Sequence, residues 1–268
     1  MTINLNGRTR LYPLLGDPII YARSPDWLSK HMAKRGMNCI SLPMEVPDGQ
    51  LKVVMDGLAA TGNVDGLSLT MPHKITGVQY CATLSETSQM LGVVSAIRRN
   101  KDGSWYGHTT DGDAFVKAQI DRGAKVDGAK VLVMGAGGAG SAVVISMLEQ
   151  GAADVAVFDL DKDRAQRIVD LMSEKVGDRV RVADSNDPTG FDIVSNATSM
   201  GMDDKDPIPV DPDKLSSEMF VGDVVAGHGE TKIIKAAKAA GCKTADGDDM
   251  VVAVLDVMCD FLEGAWKD

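Results

Sequence analysis

The residues whose types and spacing could do chemistry begin at Gly135. An apolar strand, Val131–Met134, runs into Gly135-Ala136-Gly137-Gly138-Ala139-Gly140, and an apolar helix follows over about 138–150. A second apolar strand, 155–158, ends on Asp159, 19 positions after Gly140. That is close to the roughly 20-residue spacing of a dinucleotide-binding βαβ unit. Gly135 permits a tight turn, Gly137 lets the backbone approach a pyrophosphate, and Gly140 lets the helix pack close to the strand. The helix N-terminus offers unpaired N–H groups and partial positive charge to phosphates. Asp159 can accept hydrogen bonds from both hydroxyls of an adenosine ribose. With Asp161 and Asp163 nearby it would repel a 2′-phosphate, and Leu160 stands where an Arg usually receives one. Lys162 and Arg164 read as pointing off a helix start. The expected cofactor is NAD, with NADP second.

These groups need elements to hold them. The 268 residues fit one large or two small domains, and 44% hydrophobic content is enough for a sizeable core. The formal charge of −10 argues against nucleic acid or an anionic membrane as partner. No run approaches the roughly 18 apolar residues of a membrane span, and the N-terminal stretch lacks the apolar core of a signal peptide. Cys39, Cys81, Cys242 and Cys259 form no C-x-x-C pair and read as reduced core residues of a cytoplasmic protein, with no metal site.

The first hundred residues alternate strands and helices. Strands are expected at 11–15, 39–46, 64–69 and 93–98. Helices are expected at 24–35, with Ser24 as cap and Pro25 in the first turn, at 48–60 and from about 85. A helix over about 111–121 leads into the glycine-rich unit. Later strands fall at 192–195 and 221–225, and 202–214 is a loop. The last helix, 248–263, is apolar on most sides and could pack back on the first unit. The fold class is α/β: an N-terminal α/β substrate domain (1–112 and 245–268) completed by the C-terminal helix, plus a Rossmann doubly wound parallel-sheet domain (113–244). A cleft between two such units is a common place for a ligand.

Further stretches are L-L-G-D-P-I at 14–19 with Ser24-Pro25, L-T-M-P-H-K at 69–74, G-x-T-T-D-G at 107–112, S-N-A-T-S-M-G-M at 195–202 and G-D-D-M at 247–250. With the glycine loop, in this order and over nearly the whole chain, they resemble the shikimate dehydrogenase family. The resemblance implies hydride transfer between a nicotinamide cofactor and the ring hydroxyl or ketone of a shikimate- or quinate-like cyclic acid. It places the catalytic pair on Lys74 and Asp111. Such a pair fits the chemistry, because oxidising a secondary alcohol removes a proton from oxygen as hydride leaves carbon. Which of the two is the formal acid or base stays open. The resemblance also sets Tyr21, Arg23, Ser24, Ser68, Thr70, Ser95, Thr110 and Val254 at the substrate. The cofactor falls to Gly135, Ala136, Gly137, Gly138, Ala139, Asp159, Leu160, Asn196, Ala197, Thr198, Met200, Val224 and Gly247.

The chain departs from the family at the substrate. The paired serines become Ala22-Arg23-Ser24, and the preceding His falls on Tyr21. Asparagines fall on Ser68, Ser95 and Thr109, a Tyr on Ala226 and a Gln on Val254. Arg23 and Tyr21 could replace a lost carboxylate contact. The family's N-R-T falls on Asp159-Leu160-Asp161, again favouring NAD. The chemistry reads as retained and the substrate as altered. Alternatives are a dehydrogenase of the same family acting on another hydroxylated acid, or a non-catalytic NAD-binding sensor. A methyltransferase is disfavoured by the glycine pattern and the separate N-terminal unit. A homodimer is left open. His31 reads as a surface residue, and His73 could tune Lys74 or be an ordinary loop histidine.

Overall fold

Residues 5–20 and 22–264 are described by this computed structural model, and the chain divides into two units, residues 1–110 with 255–268, and residues 111–254. The expectation at Tyr21 lies outside the described residues.

The first unit contains β1 (Arg10–Leu11), β2 (Leu14–Gly16), α1 (Ser24–Lys34), β3 (Cys39–Ile40), β4 (Pro43–Glu45), α2 (Leu51–Ala59), β5 (Gly66–Leu69), α3 (His73–Thr76), β6 (Thr83–Leu84), α4 (Glu86–Leu91), β7 (Ala96–Arg99) and β8 (Trp105–His108). Its six-stranded sheet has the order β4-β2-β5-β7-β8-β6. β2 runs parallel to β4 and β5, while β7 is antiparallel to β5 and β8. The single strand expected at 39–46 is two strands, because β3 pairs with β1 in a separate ribbon before the chain crosses to pair β4 with β2. Pro43 tolerates this edge position, where its missing N–H removes no central ladder bond. The helix expected from 48 starts at Leu51, since Asp48 instead accepts from Gly49 N–H in a turn. Arg23, not Ser24, is the N-cap of α1, and no side chain caps it. Leu15, Leu67, Leu69, Val94 and Ile97 form the core between sheet and helices.

The second unit contains α5 (Asp111–Asp121), β9 (Lys130–Met134), α6 (Gly138–Glu149), β10 (Asp154–Phe158), α7 (Lys162–Val176), β11 (Val180–Val182), β12 (Ile193–Asn196), β13 (Phe220–Asp223), α8 (Lys232–Ala239), β14 (Lys243–Ala245) and the start of α9 (Gly247–Glu263). The sheet order β11-β10-β9-β12-β13-β14 is parallel throughout. This is the doubly wound 3-2-1-4-5-6 order of dinucleotide-binding folds. Val131–Met134 are all buried, as expected of a strand covered on both faces. α7 is a sided helix: Ala165, Ile168 and Met172 face inward, and Asp161 caps it by accepting from the N–H groups of Asp163 and Arg164.

The boundary read at 245 falls at 255. β14 is the last strand of the second sheet, and the first turn of α9 is held in that unit. Asp246 accepts from the N–H groups of Asp248 and Asp249, Asp249 accepts from Asp246 N–H, and Arg122 pairs with Asp249. From Leu255 onward α9 belongs to the first unit. Phe261 stacks on Tyr106 and His108 at 6.0 and 5.7 Å, and Arg35 bonds Asp260 at 2.6 Å. His31 is correspondingly not a plain surface residue: its Nε2 meets Asp256 at 2.8 Å. Burial pushes the thiols of Cys39 and Cys81 up to about 12. No described helix is long and apolar enough to cross a membrane.

Candidate active site

The open end of the parallel sheet carries a cavity of about 660 Å³. It lies where the strand order reverses, between the carboxyl ends of β9 and β12, the usual ligand position in such sheets. Gly135 turns the chain there with φ +95°, which disfavours a side chain, and an added Cβ would lie 2.9 Å from Thr198 Cγ2. A Cβ on Gly140 would sit 2.0 Å from the Gly135 carbonyl oxygen, so α6 starts against the turn only because both residues are glycine. Gly137 caps α6, lines the cavity and faces open space. Its backbone can therefore meet a phosphate at the helix N-terminus.

Asp159, at the end of β10, lines the same cavity. Its Oδ2 accepts from Ala136 N–H at 2.8 Å and its Oδ1 from Asp161 N–H at 2.9 Å. A carboxylate has about four acceptor directions, so ribose hydroxyls can still bind. Leu160 is 79% exposed beside it. Arg164 also lines this cavity, which corrects the reading that it points away. Being the third residue of α7, it projects from the turn nearest Asp159.

In the first unit, the polar positions gather at one end of the mixed sheet. Thr70 N–H bonds Leu15 O at 2.9 Å, Leu69 N–H bonds Ser95 O at 2.8 Å, and Ser95 N–H bonds His108 O at 2.9 Å. α3 follows directly: His73 N–H bonds Thr70 O, and Val94 N–H bonds the carbonyl of Lys74, each at 2.9 Å. Lys74 is thereby fixed one residue from Ser95 through its own backbone, with its side chain half-buried. Ser95 Oγ accepts from Thr110 N–H at 2.9 Å and lies 3.0 Å from Thr110 Oγ1. Asp111 is the next residue in the chain. His73 is buried in α3 and its Nε2–H donates to Val46 O at 2.7 Å, so it clamps the α3 turn to the strand edge and does not serve Lys74 from a loop.

Known proteins extend this pattern. The family model described as the shikimate dehydrogenase substrate binding domain matches residues 14–97. A shikimate dehydrogenase (NADP(+)) from Rubrobacter xylanophilus is 31% identical over 253 residues, covering 92% of this chain and 88% of its own. The chain belongs to the shikimate dehydrogenase family. It is therefore an α/β oxidoreductase of the nicotinamide-dependent, CH–OH class. Among solved structures, 5-ketofructose reductase from Gluconobacter sp. is similar with a TM-score of 0.88 and 27% identity, covering 97% of this chain and 94% of that one. Listeria monocytogenes shikimate 5-dehydrogenase in complex with shikimate and NAD gives 0.85 and 27%, covering 99% of each chain. Corynebacterium glutamicum quinate dehydrogenase in complex with NAD gives 0.82 and 30%, covering 96% and 94%.

The family positions sort by place. Gly135, Gly137, Asp159, Leu160, Ala197, Thr198 and Met200 line the cavity. Ala136, Gly138 and Ala139 belong to the loop and first turn without lining it, and Val224 is bonded through its N–H to Asn196 O at 3.0 Å. Asn196 is fully buried, with both amide hydrogens and its carbonyl engaged within the protein. Gly247 is needed for close approach: a Cβ there would lie 2.4 Å from the Val225 carbonyl. Ser68, Thr70, Ser95 and Thr110 share the sheet end, and Val254 lies half-buried on α9. Arg23 lines a separate cavity of about 590 Å³, facing Ile40, Ser41 and Pro43. Sequence reasoning missed Asn186 and the Pro207-Ile208-Pro209 wall of the larger cavity. Loop composition carried no signal for that wall; Arg164 carried one in its place just after Asp159.

Proposed function

We propose that the chain is a dehydrogenase moving a hydride between NAD and the ring hydroxyl or ketone of a shikimate- or quinate-like cyclic acid. The observation that carries this is the cavity in which a glycine turn, the N-terminus of α6 and the Asp159 carboxylate converge. When bound, the nicotinamide supplies or accepts the hydride. The rest falls to the chain. Gly135 and Gly137 hold the backbone where a pyrophosphate can approach, and Asp159 receives ribose hydroxyls. The unit of residues 1–110 with 255–268 acts as the substrate and catalytic domain, and that of 111–254 as the dinucleotide domain. Lys74 and Asp111 form the pair at the substrate oxygen: the ammonium stabilises charge developing there, and the carboxylate orients lysine and alcohol and shares the proton. Ser24, Ser68, Thr70 and Thr110 supply polar contacts to the acid, Ser68 a shorter one than the asparagine the family places there.

NAD is favoured because a carboxylate and a leucine stand at the ribose end of the cavity. The quinate dehydrogenase with NAD among the similar structures fits this choice. Arg164 on the same wall and the NADP(+) named for the Rubrobacter relative pull the other way. Steady-state kcat/KM with each cofactor decides: a higher value with NADP rejects the preference and leaves the dehydrogenase reading intact. The altered substrate positions favour a second reading, a different hydroxylated acid for the same chemistry, because Ala22, Ala226 and Val254 offer no hydrogen bond. A site missing expected partners discriminates against the original ligand by large factors. Turnover of shikimate, quinate and a panel of hydroxylated cyclic acids separates the two.

A further inference from the structure

Two loops leave neighbouring strands on the cofactor side of the second unit, one after β12 (197–206) and one after β13 (224–231). They meet at a carboxylate. Asp223 ends β13 and is fully buried. Its Oδ1 accepts from Asn196 Nδ2 at 2.9 Å and from Val225 N–H at 3.2 Å, and its Oδ2 accepts from the Thr231 hydroxyl. Thr231 is the N-cap of α8, yet its hydroxyl makes no cap bond because it is turned to Asp223. Asn196 relays the contact. It donates to Met200 O at 3.1 Å and accepts from Thr198 N–H and Oγ1 at 3.2 and 2.7 Å. Thr198 Oγ1 in turn accepts from Met200 N–H at 3.0 Å. Thr198, Ser199 and Met200 form one wall of the 660 Å³ cavity, against Gly135.

We propose that Asp223 is a positioning residue: acting through Asn196, it sets the 197–200 segment as the wall against which the cofactor binds, and Thr231 holds its second oxygen. The role rests on the proposed use of that cavity by a nicotinamide dinucleotide. Within this relay the amide of Asn196 has both hydrogens and its oxygen engaged, so it cannot rotate without leaving a buried group unmet. Asp223 touches neither cofactor nor substrate, and its effect reaches the cavity only by the shape of one loop.

The test uses the full chain carrying Thr231→Val, Thr231→Ser or Asp223→Asn. Amide hydrogen exchange is followed at Thr198 and Met200, and KM is measured for NAD and for shikimate. Thr231→Val is expected to accelerate exchange at both amides and to raise the KM for NAD about tenfold, the worth of one buried hydrogen bond. kcat and the KM for shikimate should change less than about threefold, and Thr231→Ser should restore wild-type behaviour. Asp223→Asn is expected to act in the same direction with a larger effect. The assignment is overturned if Thr231→Val lowers Tm without moving either readout, or if Thr231→Ser is as impaired as Thr231→Val. A wild-type protein that binds neither NAD nor NADP refutes the dehydrogenase reading instead. The exchange rates then still support or overturn the control of 197–200 by Asp223.

Discussion

The glycine loop of the second unit and the sheet end of the first do comparable work by different means. At the loop, function rests on absent side chains: Gly135 and Gly140 leave room for a turn and a helix start that a single methyl would block. The sheet end rests on side chains whose bonds run inward, with Ser95 turned to Thr110 and His73 to Val46. A site made of missing atoms has little freedom to vary, because any addition collides with backbone. A site made of short polar groups can change its ligand one residue at a time. That contrast fits the expectation that the chain keeps the glycine turn of its family and departs from it at the substrate positions.

The largest test of the comparison is Lys74→Ala. It should lower kcat roughly a thousandfold, the scale of a positioned proton-transfer group, while NAD titration of the variant stays at the wild-type affinity. A loss below tenfold would remove Lys74 from the chemistry and, with it, the catalytic assignment of the first unit.

Gly140→Ala should do the reverse. Its new methyl meets a backbone carbonyl, so the second unit must shift at a cost of about 3 kcal/mol or more. Thermal unfolding should show this loss together with lost NAD binding. A variant that binds NAD normally would show that the turn tolerates bulk and would erase the contrast.

Ser95→Ala removes the acceptor of the buried Thr110 N–H and should destabilise the protein by about 1–3 kcal/mol. Denaturant unfolding measures it. A neutral result would mean that Ser95 is free to serve a ligand, and that the sheet end is less self-contained than its hydrogen bonds indicate.

How far each region could be read from sequence follows the same division. The Rossmann half was legible because its requirements are local: strand, turn, helix and acid within thirty residues, with steric rules that permit only glycine. The doubly wound parallel sheet expected with it is present. The first unit was read less well. The break of 39–46 into β3 and β4 depends on which strands they pair with, and nothing local in that stretch encodes pairing. His73 looked like a neighbour of Lys74 until the fold brought Val46 to its ring. Asp223 and Thr231 are invisible as a pair because they stand eight positions apart across a loop, and only the return of the chain to α8 closes the contact. Arg164 is visible in the sequence, but its direction depends on where α7 begins relative to the cavity.

The smallest expected effect concerns pH. Burial holds the Asp223 carboxyl above its ordinary value, against the hydrogen bonds from Thr231, Val225 and Asn196 that pull it down. A group raised in the folded state contributes its full stability below its unfolded pKa and loses it as pH rises through the folded one. The Tm of the wild-type protein should therefore fall more than that of Asp223→Asn as pH rises from about 4, the ordinary carboxylate value. Parallel profiles would mean that the carboxyl is solvated, contrary to its burial.

The most direct measurement is formation of reduced nicotinamide by the purified protein with shikimate, quinate and related hydroxylated cyclic acids, each with NAD and with NADP. Turnover of at least one such acid, faster with NAD and abolished by Lys74→Ala, is the predicted result. A folded protein that turns over none of them with either cofactor would contradict it.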